Sequence, residues 1–168
     1  MNILYINHYA GSPMYGMEYR PYYLTREWLK MGHKVTIIAA SYSHVRSKNP
    51  ICQKEIQKEI IDGIKYIWIK TPEYKGNGIK RVVSIFSFVG KLFKYSKKVV
   101  REINPDILIA SSTYPLDIYP AYRILLAPQE NWTKTHNMIK FLLKGVLKQW
   151  QPIKTLPLKK SLLFKPGA

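Results

Sequence analysis

The chain has 168 residues, 46% hydrophobic and 22% charged, which suits one folded globular domain with its own core and excludes a disordered or fibrous chain. Its 27 Lys and Arg against 10 Asp and Glu leave a net charge of +17, which favours anionic partners: nucleic acid, anionic lipid or a phosphorylated substrate. The single cysteine, Cys52, allows neither an intramolecular disulfide nor a cysteine-based zinc site and fits a reducing cytoplasm. The opening residues lack the charged region and apolar run of a signal peptide, and no run of about 18 apolar residues offers a membrane span.

Ile3 to Ile6 is a short β-prone run, followed by turn formers from Asn7 to Pro13. From Met17 to Met31 the apolar residues Met17, Tyr22, Leu24, Trp28, Leu29 and Met31 fall near helical spacing, and Gly32 is placed to stop the helix. Val35 to Ala40 is a continuous apolar run, as in a parallel strand buried on both faces. Strand, helix and strand in this order predict a βαβ unit.

Residues 41 to 62 are polar and mixed, broken at Asn49-Pro50, with a weak helical pattern at Ile56, Ile60 and Ile61. Ile64 to Ile69 reads as a strand closed by Thr71-Pro72, and Gly76-Asn77-Gly78 as a turn. Ile79 to Ile103 reads as a long, strongly basic amphipathic helix stopped by Asn104-Pro105-Asp106. Ile107 to Ala110 supplies another buried strand, and Ser111 to Pro115 a loop that opens a further helix. The alternation predicts a Rossmann-like doubly wound parallel sheet over residues 1–123. Residues 124–168, with eight lysines and one acid, Glu130, read as an irregular or helical basic tail.

In an open parallel sheet ligands bind beyond the carboxyl ends of the strands, so the loops at 7–18, 39–44 and 111–115 are the candidates. Gly11 and Gly16 permit close backbone approach, and Gly16-Met17-Glu18 is placed to open a helix whose amides attract anions or sugar oxygens. The spacing is not G-x-G-x-x-G, so no dinucleotide site is inferred. Glu18, in the first turn of that helix, serves either a ligand or the helix dipole. Arg20 and Arg26 either reach a phosphate or are solvated. His8 follows the first strand and is a ligand contact or an ordinary loop histidine. His33, His44 and His136 show no ligand spacing, so no metal is expected. Ser111, Ser112 and Thr113 offer hydroxyls and amides to a ligand and are equally suited to cap the helix after Pro115. The helix at 79–103, with Lys80, Arg81, Lys91, Lys94, Lys97 and Lys98, is a solvated face, a membrane-surface helix or a nucleic-acid patch. No nucleic-acid motif accompanies the lysines, and nucleic acid is not expected as the partner.

The stretch from Asn7 to Pro21, with Gly11, Gly16 and Glu18, then Trp28 to Ile37 with its Gly-His-Lys-Val-Thr step, resembles the opening of family 4 glycosyltransferases. Pro105 to Pro115 is similar to their next strand and loop, and the likeness is nearest to bacterial members that build surface polysaccharides. The resemblance implies one half of a GT-B fold: an amino-terminal, acceptor-side domain facing a donor domain that binds a nucleotide-sugar, with retaining transfer and no metal. It implies that the loop Gly11 to Glu18 lies at the interdomain cleft and that the basic helix touches the inner face of the membrane, where lipid-linked acceptors reside. After Arg123 the pattern departs. No His-Asp pair follows, His136-Asn137 is a poor substitute, and the donor domain with its paired glutamates is missing. The expectation is a chain truncated or shifted in frame near residue 124, inactive in sugar transfer unless another chain supplies the donor half. The alternative is a non-catalytic module that binds acceptor or membrane.

Overall fold

The structure, a computed structural model, describes residues 1–76 and 78–126. Its elements are β1 (Asn2–Ile6), α1 (Arg20–Lys30), β2 (Lys34–Ala40), β3 (Ile56–Ile61), β4 (Ile64–Ile69), α2 (Ile79–Ile103), β5 (Ile107–Ala110) and α3 (Ile118–Leu126), the last preceded by a 3₁₀ turn at Pro115–Asp117. The sheet order is β3-β4-β2-β1-β5. β1 lies parallel to β2 and β5, and β2 parallel to β4, which is the predicted α/β, Rossmann-like arrangement.

Alternation along each strand divides the core between the two faces. Leu4, Ile6, Ile38 and Ile67 face α2 and α3, packing on Phe88, Leu92, Val99 and Ile124. Ile3, Tyr5, Ile37 and Tyr66 face the other way, onto Tyr22, Trp28 and Leu29 of α1. Each fully buried Leu or Ile contributes about 1.5–3 kcal/mol, so the two faces together hold the sheet against its helices. α3 runs unbroken across Arg123 and Ile124, and Ile124 is buried in the first of these clusters. Residues 127–168 of the lysine-rich segment, including His136, lie outside the described residues.

Two expectations need correction. The weak helical pattern at Ile56, Ile60 and Ile61 belongs to β3, an edge strand antiparallel to β4. The Asp62-Gly63 turn joins them with positive φ at both residues, 49° and 80°, as a tight hairpin requires. Pairing with β4 decides the conformation there, and Lys58 and Ile60 stand exposed on one face of the strand. The sheet is therefore mixed. The first helix begins at Arg20 rather than Met17, because Gly11 N–H donates to Glu18 O (2.8 Å) and Glu18 N–H to Tyr9 O (3.1 Å), which commits that backbone to a non-helical ladder. Pro21, lacking an N–H, suits the first turn. Glu18 accordingly precedes the helix, and Gly16-Met17-Glu18 does not open it.

The stops behave as read. Gly32 (φ 79°) closes α1 through Gly32 N–H to Leu29 O and His33 N–H to Trp28 O. Asn104, left-handed at φ 45°, ends α2.

Candidate functional site

The chain adds β2 and β4 on one side of β1 and β5 on the other, so the order in which strands are added reverses between the parallel strands β1 and β5. That switch point is where an open α/β sheet leaves a crevice at its carboxyl edge. Its walls are the loops Asn7–Tyr19 and Ser111–Tyr114.

Side chains distant in sequence knit these walls together. The Tyr5 hydroxyl and Ser111 Oγ are 2.8 Å apart. Asn7 Nδ2 donates to Ser111 O at 2.8 Å and to Ser111 Oγ at 3.2 Å, while Asn7 Oδ1 accepts from Tyr9 N–H. His8 N–H donates to Ser112 Oγ at 3.0 Å, and Ser112 N–H to the buried Asp117 carboxylate at 3.0 Å. Burial raises the Asp117 carboxyl above its ordinary value, against the lowering effect of these Ser112 bonds.

Glu18 and Arg20 meet at 3.3 Å, with Arg20 about half exposed. Both lie within electrostatic range of the Tyr5 phenol, whose pKa is raised chiefly by burial. The structure thus brings Glu18, Arg20 and Ser111 to one crevice edge around Tyr5. Met17 and Thr113 are exposed beside them in the two loops. The serines and Thr113 do not cap the following helix: Tyr114 occupies the N-cap position, without a side-chain cap bond, and Ser112 is held by its own amide on Asp117.

Gly11 and Gly16 do allow close approach, and what approaches is the protein's own backbone. A Cβ on Gly11 would stand 1.9 Å from Gly16 O, and one on Gly16 (φ +92°) would stand 2.7 Å from Ser47 Oγ. Beneath the loop lies Arg46, buried and missed in the sequence. Its guanidinium donates to Ala10 O (2.6 and 3.0 Å) and Ala40 O (2.9 Å), with longer contacts to His8 O, Ser41 O and Asn49 Oδ1 at 3.3 Å, and it rests 4.9 Å from the Trp68 ring centre. Burial lowers its pKa to about 10, so it remains a cation. One buried cation therefore ties the ends of β1 and β2 to the loop above them. Nothing in the polar segment 41–49 distinguishes it in sequence.

His8 is fully buried. Its Nδ1 lies 2.7 Å from the Tyr114 hydroxyl, its ring packs on Tyr9 and Phe88, and Nε2 has no partner among the described residues. Burial first, then Arg46, Arg81 and His44, push its pKa to about 3. It is a neutral core imidazole, without access to a ligand's proton.

The basic residues of α2 serve several purposes. Lys91 donates to Lys70 O (2.8 Å), and Lys91 and Lys94 both pair with Glu55 at 3.5 and 3.2 Å. Tyr95 also donates to Glu55. Arg81 donates to the Tyr9 hydroxyl at 3.1–3.2 Å. Lys80, Lys97 and Lys98 are exposed. Arg26 lies over the Tyr23 ring and pairs with Glu27.

Among the described residues no group of three or more His, Cys, Asp or Glu side chains is placed to hold a metal ion, and no helix is long and apolar enough to cross a membrane. Chemically the crevice offers hydroxyls, an amide, a carboxylate and a guanidinium, a set that hydrogen-bonds a polyol. Neither the protein-family models nor the curated proteins provide a match to this chain.

Proposed function

We propose that residues 1–123 form the acceptor-side domain of a two-domain glycosyltransferase, one that moves a sugar from a nucleotide-sugar to a saccharide or lipid-linked acceptor in bacterial surface-polysaccharide synthesis. The observation that carries this reading is the convergence at the switch point. The two loops that resemble the family, 7–18 and 111–115, are brought side by side by the strand order, and with the first residue of α1 they present Glu18, Arg20 and Ser111 around the Tyr5 phenol. Hydroxyls and a carboxylate–guanidinium pair suit a sugar's hydroxyl groups. The described unit supplies one wall of the cleft that transfer needs, so the donor half must come from another unit or another chain, and this domain alone does not turn over.

The test is binding of a panel of octyl glycosides, which carry a sugar on a short apolar tail, to the chain and to its Glu18→Gln and Ser111→Ala variants. At least one glycoside should bind, and both substitutions should weaken it. A panel without a binder, or binding indifferent to both substitutions, removes this reading.

A second reading, a non-catalytic module that holds an anionic membrane surface, is favoured by the first two turns of α2. Ile79, Val82, Val83 and Phe86 form a stripe at helical spacing and are 82%, 47%, 50% and 60% exposed, with Lys80 among them. Apolar insertion and about 1 kcal/mol per lysine near the lipid would act together there. Of the six basic positions, Lys91 and Lys94 are drawn to Glu55 and Arg81 to Tyr9, so the exposed apolar stripe with Lys80 marks the lipid contact at the start of the helix. Flotation with vesicles containing phosphatidylglycerol should carry the chain upward and fail for Phe86→Ala with Lys80→Ala. Absence from such vesicles at low salt excludes the reading.

A further inference from the structure

Beyond the carboxyl ends of β2 and β4, on the α2 side of the sheet, lies an open groove of about 870 Å³ whose walls include Tyr42, Glu73, Tyr74, Lys75, Ile79 and Lys80. It shares no wall residue with the crevice between β1 and β5, which it neighbours through the Tyr9, His44 and Tyr74 rings, and the inference drawn from it does not rest on the proposed function.

The groove's chemistry is divided. Tyr42 and Tyr74 meet edge to face at 5.1 Å between ring centres, and Tyr74 is anchored by its hydroxyl, 2.9 Å from His44 Nδ1. Burial pushes the Tyr74 phenol up to about 12, so it is neutral at physiological pH. Tyr74 is therefore a fixed, uncharged part of the wall. Lys75 and Lys80 are exposed, and neither pairs with an acid among the described residues. Glu73 stands in the same groove. A ligand anionic along its whole length would meet that carboxylate, whereas a ligand with charge at one end and hydroxyls at the other can give Glu73 a hydroxyl to accept from.

We propose that this groove binds a hydroxylated ring carrying a phosphate, either a sugar phosphate or a nucleotide. The phosphate meets Lys75 and Lys80, the ring lies against Tyr42 and Tyr74, and a ring hydroxyl donates to Glu73. Charge-assisted bonds to the phosphate supply affinity, and the tyrosine wall and Glu73 reject a bare anion in favour of a ring.

The experiment titrates the chain with four probes, glucose 1-phosphate, UMP, inorganic phosphate and uridine, and follows backbone amide shifts. One of the first two should bind at least about tenfold more tightly than phosphate and uridine, a difference of about 1.4 kcal/mol, and should shift Tyr42, Tyr74 and Ile79. Preference for glucose 1-phosphate assigns the sugar source, and preference for UMP the nucleotide. The Lys75→Ala, Lys80→Ala double variant, both sites being exposed, should keep its fold and lose the binding about tenfold or more. Tyr42→Ala should erase the preference for a ring. Equal affinity for phosphate and the ringed probes, shifts spread over other lysines, or an unaltered double variant overturns the proposal. So does binding only to vesicles containing phosphatidic acid, which belongs to the membrane reading.

Discussion

Replacing Arg46 by methionine keeps much of the side-chain volume and removes the guanidinium that joins three segments. Its shortest bonds run to Ala10 O and Ala40 O. Losing this partner costs each of those carbonyls about 1–3 kcal/mol, and losing the contact over Trp68 adds about 1 kcal/mol. Against this stands relief from burying a cation that no carboxylate contacts, a penalty of several kcal/mol before its hydrogen bonds are counted. A net loss of about 3 kcal/mol follows, or roughly 10 °C in Tm for a domain of this size. Urea unfolding gives the magnitude, and hydrogen exchange gives the location: the Gly11 and Glu18 amides, whose bonds form the loop ladder, should exchange faster than the global loss requires. Arg46→Lys should fall between, since one ammonium cannot fork to both strand ends. A loss below about 1 kcal/mol for Arg46→Met, with Gly11 and Glu18 still protected, would refute the pinning role.

His8 should make the fold acid-sensitive well before its carboxylates do. With its pKa at about 3 instead of 6.5, the folded imidazole stays neutral while the unfolded one takes a proton, so its contribution is complete above pH 6.5 and declines toward 3. By pH 4 the decline amounts to about 3 kcal/mol, and His8→Phe should flatten unfolding free energies measured between pH 7 and 4; an unchanged slope would exclude the effect. Asp117 has the opposite sign: its carboxyl is raised by burial, so the folded state binds the extra proton and loses stability as pH climbs from the unfolded value. Asp117→Asn, which still accepts from Ser112 N–H, should gain on the parent at pH 7 compared with pH 4, and thermal melts at the two values decide it. Gly11→Ala drives a Cβ against Gly16 O and should prevent stable folding, whereas Gly90→Ala, mid-helix with open space around it, should add about 0.5–1 kcal/mol. Melts of the two purified variants that rank them the other way would contradict the loop geometry.

The elements legible in the sequence are those whose environment is uniform along their length. Ile3 to Ile6 and Val35 to Ala40 are central strands and Ile107 to Ala110 the strand at the β1 edge; all three are covered on both faces or nearly so, and a continuous apolar run is what that demands. α2 carries its period through 25 residues and stops at Asn104. β3 was hidden because one of its faces, with Lys58 and Ile60, is open. Its three isoleucines match a helical period by accident, and the Asp62-Gly63 turn was the better signal. The start of α1 is set by backbone bonds to Tyr9 and Gly11 that no side-chain period records. At the site, the loops could be found because strands end there. Their joining could not, since Tyr5 and Asn7 reach Ser111 across 106 and 104 residues of chain and only the order of the sheet makes them neighbours. Arg46 is the extreme case: a polar residue in a polar segment, made important entirely by where the carbonyl ends of two strands fall.

The central claim, that the β1/β5 crevice receives a sugar acceptor, is tested most directly by amide-shift mapping of the ¹⁵N-labelled chain with the tightest octyl glycoside of the panel. The account predicts shifts concentrated at Met17, Glu18, Arg20 and Ser111 to Thr113, saturating only at higher glycoside concentration in Ser111→Ala. Shifts confined to other surfaces, or none at saturating glycoside, would contradict it.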